Sequence, residues 1–100
     1  MDANTEFSNE IEKVMITPNE VIHKCENIAK ANFWNKNGKE RVYIEYDNRK
    51  FYIDFTDKKN IKATYGYGIK GNIWVIGKLL DEVKISYEPF EVYDMEIKLL

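Results

Sequence analysis

The chain has 100 residues and a mass of 11.9 kDa, enough for one domain with a single modest core, which excludes a two-lobed enzyme. Its 44% apolar, 14% aromatic and 32% charged residues, with 5 Gly and 2 Pro, are those of a globular protein and exclude the disordered, collagen-like and disulfide-dense classes. The formal charge of -2 names no partner; one cysteine, Cys25, and one histidine, His23, exclude an internal disulfide and the usual Cys/His zinc site, so neither metal nor cofactor is expected.

The first residues lack a basic stretch followed by an apolar run, and nowhere do eighteen apolar residues follow one another. A soluble, cytoplasmic protein without a membrane segment is therefore expected. Phe7, Ile11, Val14 and Met15 recur at helical spacing behind the capping residue Ser8, which predicts a short first helix. A better-signed helix begins at Thr17-Pro18-Asn19-Glu20: Thr17 caps, Pro18 suits the first helical position, and Glu20 completes a capping box. Val21, Ile22, Cys25, Ile28 and Ala29 then form an apolar stripe, so this helix is predicted from about Pro18 to Asn32. His23 falls on its polar face as a surface histidine, and Cys25 lies on the stripe as a small buried hydrophobe.

After Asn35-Lys36-Asn37-Gly38, a turn signal, the apolar period changes to two. Val42, Ile44 and Tyr46 alternate with Arg41, Tyr43 and Glu45, and Phe51, Ile53 and Phe55 with Lys50, Tyr52 and Asp54. A hairpin with Asp47-Asn48 at its tip pairs Ile44 with Phe51 and Val42 with Ile53 on the core face. On the other face it sets Arg41 opposite Asp54, Tyr43 opposite Tyr52 and Glu45 opposite Lys50. A tip at Asn48-Arg49 preserves the faces but shifts the register. Beyond a polar turn at residues 56–60, Ile61 to Tyr65 is read as a third strand. Residues 69–81 admit either helix or strand. Ile69, Ile73, Ile76, Leu80 and Val83 have helical spacing behind Asn72, while three β-branched residues and a central Gly77 favour a strand. A strand at 82–87, a break at Glu88-Pro89 and a last strand over 91–99 follow.

These elements predict an α+β fold: N-terminal helices packed on one face of a mainly antiparallel sheet of three to five strands. It is read as a single domain over residues 1–100, helical over 1–35 and mainly β over 40–100, with a helix near 72–81 left open. The expected core contains Val21, Cys25, Ile28, Val42, Ile44, Phe51 and Ile53, with some C-terminal apolar positions.

Gly66-Tyr67-Gly68-Ile69-Lys70-Gly71 matches the G-x-G-x-x-G pattern of phosphate-binding loops. Its preceding strand, Lys62-Ala63-Thr64-Tyr65, is not the apolar parallel strand that such a loop requires, so an aromatic-glycine turn is the expectation. Glu96-Ile97-Lys98 and Glu82-Val83-Lys84 match the Glu-x-Lys part of a metal-dependent nuclease motif. With 11 Glu and 13 Lys in the chain, such triplets arise by chance, and ordinary solvated faces are expected.

Charge is unevenly distributed. Residues 1–30 and 71–100 each hold six acids and three bases, whereas residues 31–70 hold five acids and nine bases, together with nine of the fourteen aromatics. Basic side chains interleaved with aromatics suit single-stranded nucleic acid, but the hairpin register assigns Glu45 and Asp54 to Lys50 and Arg41, and paired charges attract phosphate poorly. A protein-binding face takes precedence, since Tyr and Arg anchor protein interfaces.

The segment Trp34-Asn-Lys36-Asn-Gly38-Lys-Glu-Arg41-Val-Tyr43, followed by Phe51-Tyr52-Ile53-Asp54, resembles small uncharacterised proteins of phages and mobile elements of low-GC bacteria. In these a helix leads into W-x-K-x-G-x-x-R-x-Y and a β-hairpin. The abundance of Lys, Asn, Ile and Tyr over Gly, Ala, Arg and Pro is the bias of such genomes. The resemblance implies an accessory or anti-defence protein, such as an anti-CRISPR-like inhibitor that occupies a host protein's surface, and brings no catalytic residue with it. The expected function is therefore non-enzymatic binding of a host protein or protein–nucleic-acid complex. Direct single-stranded nucleic-acid binding is the alternative, a metal-dependent nuclease the second, and self-association stays open. The candidate contact residues are Arg41, Tyr43, Lys50 and Tyr52 on the hairpin, and the acidic group Glu88, Glu91, Asp94 and Glu96, suited to a basic partner.

Overall fold

The computed structural model describes residues 15–66, 68 and 71–100. The helix expected over residues 7–15 lies outside the described residues, apart from Met15. The first described helix, α1 (Pro18–Cys25), starts as its sequence dictates. The Glu20 N–H donates to the Thr17 hydroxyl at 3.2 Å, and the Thr17 N–H donates to the Glu20 carboxylate at 3.2 Å, a complete capping box. Val21 and Cys25 are buried on its inner side.

This helix stops at Cys25, well short of the expected Asn32, and residues 26–29 form a turn. Lys30–Lys36 is a strand, β1, paired antiparallel with β2 (Lys39–Tyr46). Residues 30–35 are therefore not helical. Ala31-Asn32-Phe33-Trp34 also reads with period two, and the turn Asn37-Gly38, with φ of 55° and 79°, folds that run back onto β2, so strand pairing overrides a helix of marginal length. Ile28, expected in the core, falls in the intervening turn and stands 41% exposed.

The second hairpin forms as read. β3 (Arg49–Asp54) pairs with β2 in the expected register: Val42 faces Ile53, Ile44 faces Phe51, Arg41 faces Asp54, Tyr43 faces Tyr52 and Glu45 faces Lys50. Asp47 and Asn48 at the tip have φ of 53° and 61°, the double left-handed conformation of a type I′ turn. β4 (Lys62–Thr64) adds antiparallel to β3.

Residues 73–82 are helical. α2 (Ile73–Glu82) is capped by Asn72, whose side chain accepts the Trp74 N–H at 2.9 Å. It buries Ile73, Ile76, Leu79 and Leu80 on one side. The central Gly77 is explained by packing: a Cβ there would lie 2.8 Å from the Phe90 ring, so a bare backbone lets that ring approach the helix. The helix ends in a Schellman arrangement, with the Ile85 N–H donating to the Leu80 carbonyl at 2.9 Å and the Lys84 N–H to the Asp81 carbonyl at 3.2 Å; Lys84 takes φ of 61°.

The helix thus takes up the start of the strand expected at 82–87, of which only a single bridge from Tyr87 to Leu99 remains. The last strand shrinks from 91–99 to β5 (Glu96–Lys98) and that bridge. Residues 91–94 instead close a turn: the Asp94 N–H donates to the Glu91 carbonyl at 3.0 Å, and the Glu91 N–H to the Asp94 carboxylate at 2.7 Å.

The result is an α+β fold with a five-stranded, wholly antiparallel sheet in the order β1-β2-β3-β4-β5. Of the two described helices only α1 precedes the sheet; α2 is inserted between β4 and β5, which corrects the expectation that the helices are N-terminal. Val21 and Cys25 of α1, alternate residues of the sheet such as Ile44, Phe51, Ala63 and Ile97, and Ile76, Leu79 and Leu80 of α2 form one buried cluster. The hairpin tip is tied to α2: the Tyr46 hydroxyl donates to the Glu82 carboxylate, and Lys78 Nζ lies 3.8 Å from the Asp47 carboxylate. Burial, reinforced by the Glu82 hydrogen bond, pushes the Tyr46 phenol up to about 12. Among the described residues no helix is long and apolar enough to cross a membrane.

Candidate functional site

Alternation puts one set of side chains into the core and the other on the opposite face of the sheet. The registers order that second face into rows. One row runs Trp34, Arg41, Asp54, Lys62, Lys98; the next runs Asn32, Tyr43, Tyr52, Thr64, Glu96; a third holds Lys30, Glu45 and Lys50. Lys36 and Lys39 face each other beside the first row. Arg41, Tyr43, Lys50 and Tyr52 are therefore brought onto one face, as expected.

Arg41 is the centre of this face. Its guanidinium carbon lies 4.2 Å from the centroid of the Tyr52 ring, 5.9 Å from that of Trp34 and 6.0 Å from that of Tyr43. One of its terminal amino groups donates to the Tyr43 hydroxyl at 2.8 Å, and its Nε is 3.9 Å from the Asp54 carboxylate, a salt bridge too long for a hydrogen bond. That Nε is buried without a hydrogen-bond partner. Desolvation works against the Arg41 charge, but the Tyr43 hydrogen bond and the neighbouring Tyr52, Tyr43 and Asp54 outweigh it and raise the pKa above its ordinary value. The rings also support one another, Trp34 edge-on to Tyr43 at 5.9 Å and Tyr43 tilted on Tyr52 at 5.4 Å. The arrangement is an aromatic platform gathered around one cation.

Trp34 was not among the expected contact residues, because residues up to 35 read as the end of a helix and the following turn. The signal lay in the alternation of Ala31 and Phe33 with Asn32 and Trp34 immediately before Asn37-Gly38. Nor did the hairpin alone show the charge of the whole face. With Lys30, Lys36, Lys62 and Lys98 contributed by the other strands, bases outnumber acids on it.

The acidic candidates are held in different ways. Glu96 sits on the sheet face and pairs with Lys62 at 3.3 Å. Asp94 is half-buried and accepts the Glu91 N–H, so its carboxylate holds the turn. Glu91 contributes its backbone to that turn, while Glu88 donates its N–H to the Lys98 carbonyl at 2.8 Å and exposes its side chain. Beside them, Val92, Tyr93 and Met95 are prominently exposed.

The glycine motif has a structural use at its described positions. A Cβ on Gly71 would lie 2.0 Å from the Tyr65 ring, whose hydroxyl accepts the Asn72 N–H at 2.8 Å and donates to the Asn72 carbonyl. The glycine lets the chain cross over this ring into α2. The preceding β4 is antiparallel to its neighbours, unlike the strand of a dinucleotide-binding unit. Of the two Glu-x-Lys triplets, Glu82 is engaged by Tyr46 and Glu96 by Lys62. Among the described residues no three His, Cys, Asp or Glu side chains converge as metal ligands would. His23 is exposed, 3.6 Å from Glu26, and Cys25 is buried, its thiol pKa raised by desolvation. No family model matches the chain, and a search of curated proteins and of solved structures finds no match.

Proposed function

We propose that the chain is a non-enzymatic binding protein that occupies the surface of a partner protein, in the manner of the phage-encoded, anti-CRISPR-like inhibitors that its hairpin segment resembles, and that it works in the cytoplasm of a low-GC bacterium. The observation that supports this is the Trp34–Arg41–Tyr43–Tyr52 platform. Trp, Tyr and Arg are the side chains that dominate interface energetics, and packing them on one another before contact lowers the ordering cost of binding. On this reading the helices cover the apolar face of the sheet, and the platform face meets the partner. Tyr52 already carries Arg41 over its ring, which leaves that ring less free to stack a nucleobase and favours a protein over a nucleic acid.

The test is capture from a low-GC host lysate with the wild-type chain and with Tyr43→Ala. A stoichiometric protein held by the first and lost by the second is expected; recovery of none overturns the reading. The excess of lysines around the platform favours a second reading, binding of single-stranded nucleic acid. Titration of labelled single-stranded DNA and RNA checks it, and no binding at about 50 mM salt removes it.

A further inference from the structure

The two edges of the sheet are treated differently. In antiparallel pairing across a two-residue turn, the residues that flank the turn exchange backbone hydrogen bonds, and every second pair does the same. Counting from Asn37-Gly38, Lys36, Trp34, Asn32 and Lys30 direct their backbone groups inward to β2, and Ala31, Phe33 and Asn35 direct theirs outward. The same count across the sheet places the Phe55 N–H on the Glu40 carbonyl and the Leu99 N–H on the Ile61 carbonyl, as found at 2.8 and 2.9 Å. At the far edge the outward groups of β5 and its extension are taken up: the Lys98 carbonyl accepts from Glu88 at 2.8 Å, and the Leu100 N–H donates to Ser86 at 3.1 Å. At β1 no described segment does this. Among the described residues this seven-residue edge keeps its outward ladder unpaired, and such an edge is a template for another strand.

Side chains at this edge specify what could pair there. Phe33 faces Val42 and so projects on the apolar side of the sheet, yet it is 46% exposed. On the same side a depression of about 380 Å³ opens between α1 and β1, with Ile22, Ala29 and Ala31 supplying its apolar lining. Lys30 and Lys36 stand at the two ends of the strand, both on the platform face. For a second copy paired over the full length of β1, Lys30 would oppose Lys36 at both ends, and like charges directly opposite are destabilising. Acids at those places would be attracted instead. An added antiparallel strand meets Lys30 and Lys36 at its non-hydrogen-bonded positions, where facing side chains lie closest.

We infer that β1 is a strand-acceptor site. An extended segment of the partner protein adds to the sheet through Ala31, Phe33 and Asn35, sets an acidic residue opposite each of Lys30 and Lys36, and covers Phe33 with apolar side chains, one of which enters the Ile22–Ala29–Ala31 depression. The acids are six residues apart with apolar side chains alternating between them, a pattern that reads the same in either strand direction. This inference rests on the partner-binding reading and names how that binding is made.

The test uses the full chain and a fluorescein-labelled peptide, Ser-Glu-Val-Thr-Ile-Thr-Val-Glu-Ser, followed by anisotropy. Binding in the micromolar range is expected, weaker by about tenfold when both Glu are replaced by Lys. The preference should invert for the double variant Lys30→Glu/Lys36→Glu, whose substitutions are exposed and do not touch the core. Ala31→Pro deletes an outward N–H while leaving the β1–β2 ladder, and should abolish binding with circular dichroism unchanged. Should that variant misfold, N-methylation of alternate peptide amides removes the same hydrogen bonds from the other side. No binding at up to about 1 mM peptide, or equal binding of the Glu and Lys peptides, overturns the inference. So does sedimentation of the free chain as a dimer that Ala31→Pro dissociates, which assigns the edge to a second copy. If the lysate partner survives the β1 variants and is lost only with Tyr43→Ala, the edge fails while the binding reading stands; if no partner is captured by any form, the binding reading itself fails.

Discussion

Between Lys30 and Asp54 each strand pairs with its neighbour in sequence across a two-residue turn, whereas beyond Ile61 the chain is held by contacts distant in sequence. In the first region the turn residues Asn37-Gly38 and Asp47-Asn48 fix the register, and the alternating pattern then sorts every side chain to a face. In the second, β4 pairs with β5 only after α2 has been inserted between them, and residues 83–95 are held largely by what they touch. Phe90 rests on Gly77, and the Tyr87 hydroxyl donates to Asp81 at 2.7 Å. Local order sets the register of the platform; non-local order gives the core beneath it.

The comparison breaks first if the two regions do not share one core. Leu79 is fully buried in α2 and Ile53 fully buried in β3. Leu79→Ala is expected to cost about 2–5 kcal/mol in urea unfolding, as is Ile53→Ala, with a single transition by both fluorescence and circular dichroism. A separate early transition for Leu79→Ala would divide the molecule at β4.

Gly77→Ala examines the non-local contact. Alanine favours a helix by about 1 kcal/mol over glycine, but its methyl would meet the Phe90 ring at 2.8 Å, so a net loss of about 1–3 kcal/mol is expected. In a Phe90→Ala background the same substitution should become stabilising, a reversal of sign that a double-mutant cycle reads directly.

Tyr46→Phe tests the tie between the regions, with an expected cost of about 1–2 kcal/mol. Its pH dependence has a definite sign. The folded phenol is raised to about 12 from about 10 in the unfolded chain. Its contribution is therefore complete below pH about 10 and is lost as pH rises through about 12. Alkaline unfolding followed over that interval should be steeper for the wild-type chain than for Tyr46→Phe.

The smallest effects sharpen the contrast at the turns. Lys84 occupies the left-handed position that ends α2, where a glycine carries no steric penalty. Lys84→Gly should stabilise by about 1 kcal/mol. Asn48 also has a positive φ, but asparagine tolerates it, so Asn48→Gly should gain only about a few tenths of a kcal/mol, measured by thermal melting.

What was legible in the sequence follows the same division. The capping box at Thr17 and Glu20, the Asn72 cap, the Asp47-Asn48 tip and the facing of Arg41 with Asp54 and of Tyr43 with Tyr52 could all be read, because each depends on residues within one turn or one hairpin. So could the common face of Arg41, Tyr43, Lys50 and Tyr52. Trp34 was missed because Ala31-Asn32-Phe33-Trp34 suits the end of a helix and an edge strand alike. That Glu96 stands on the sheet face beside Lys62 could not be read, because it depends on a pairing with β4 that no local pattern announces.

By itself, then, the sequence determined the faces of the hairpin, since period-two alternation acts over a few positions, while the structure chose the register with Asp47-Asn48 at the tip over the alternative at Asn48-Arg49. Only the tertiary structure decided where α1 stops, that residues 73–82 form a helix around Gly77, and that one edge of the sheet is covered while no described segment pairs with the outer edge of β1. Each of those segments carries two periodicities of similar strength. For α2 the choice is made by burial against parts of the chain far away in sequence, and for the end of α1 by the pairing of residues 30–36 with β2; in both the tertiary gain exceeds the local preference.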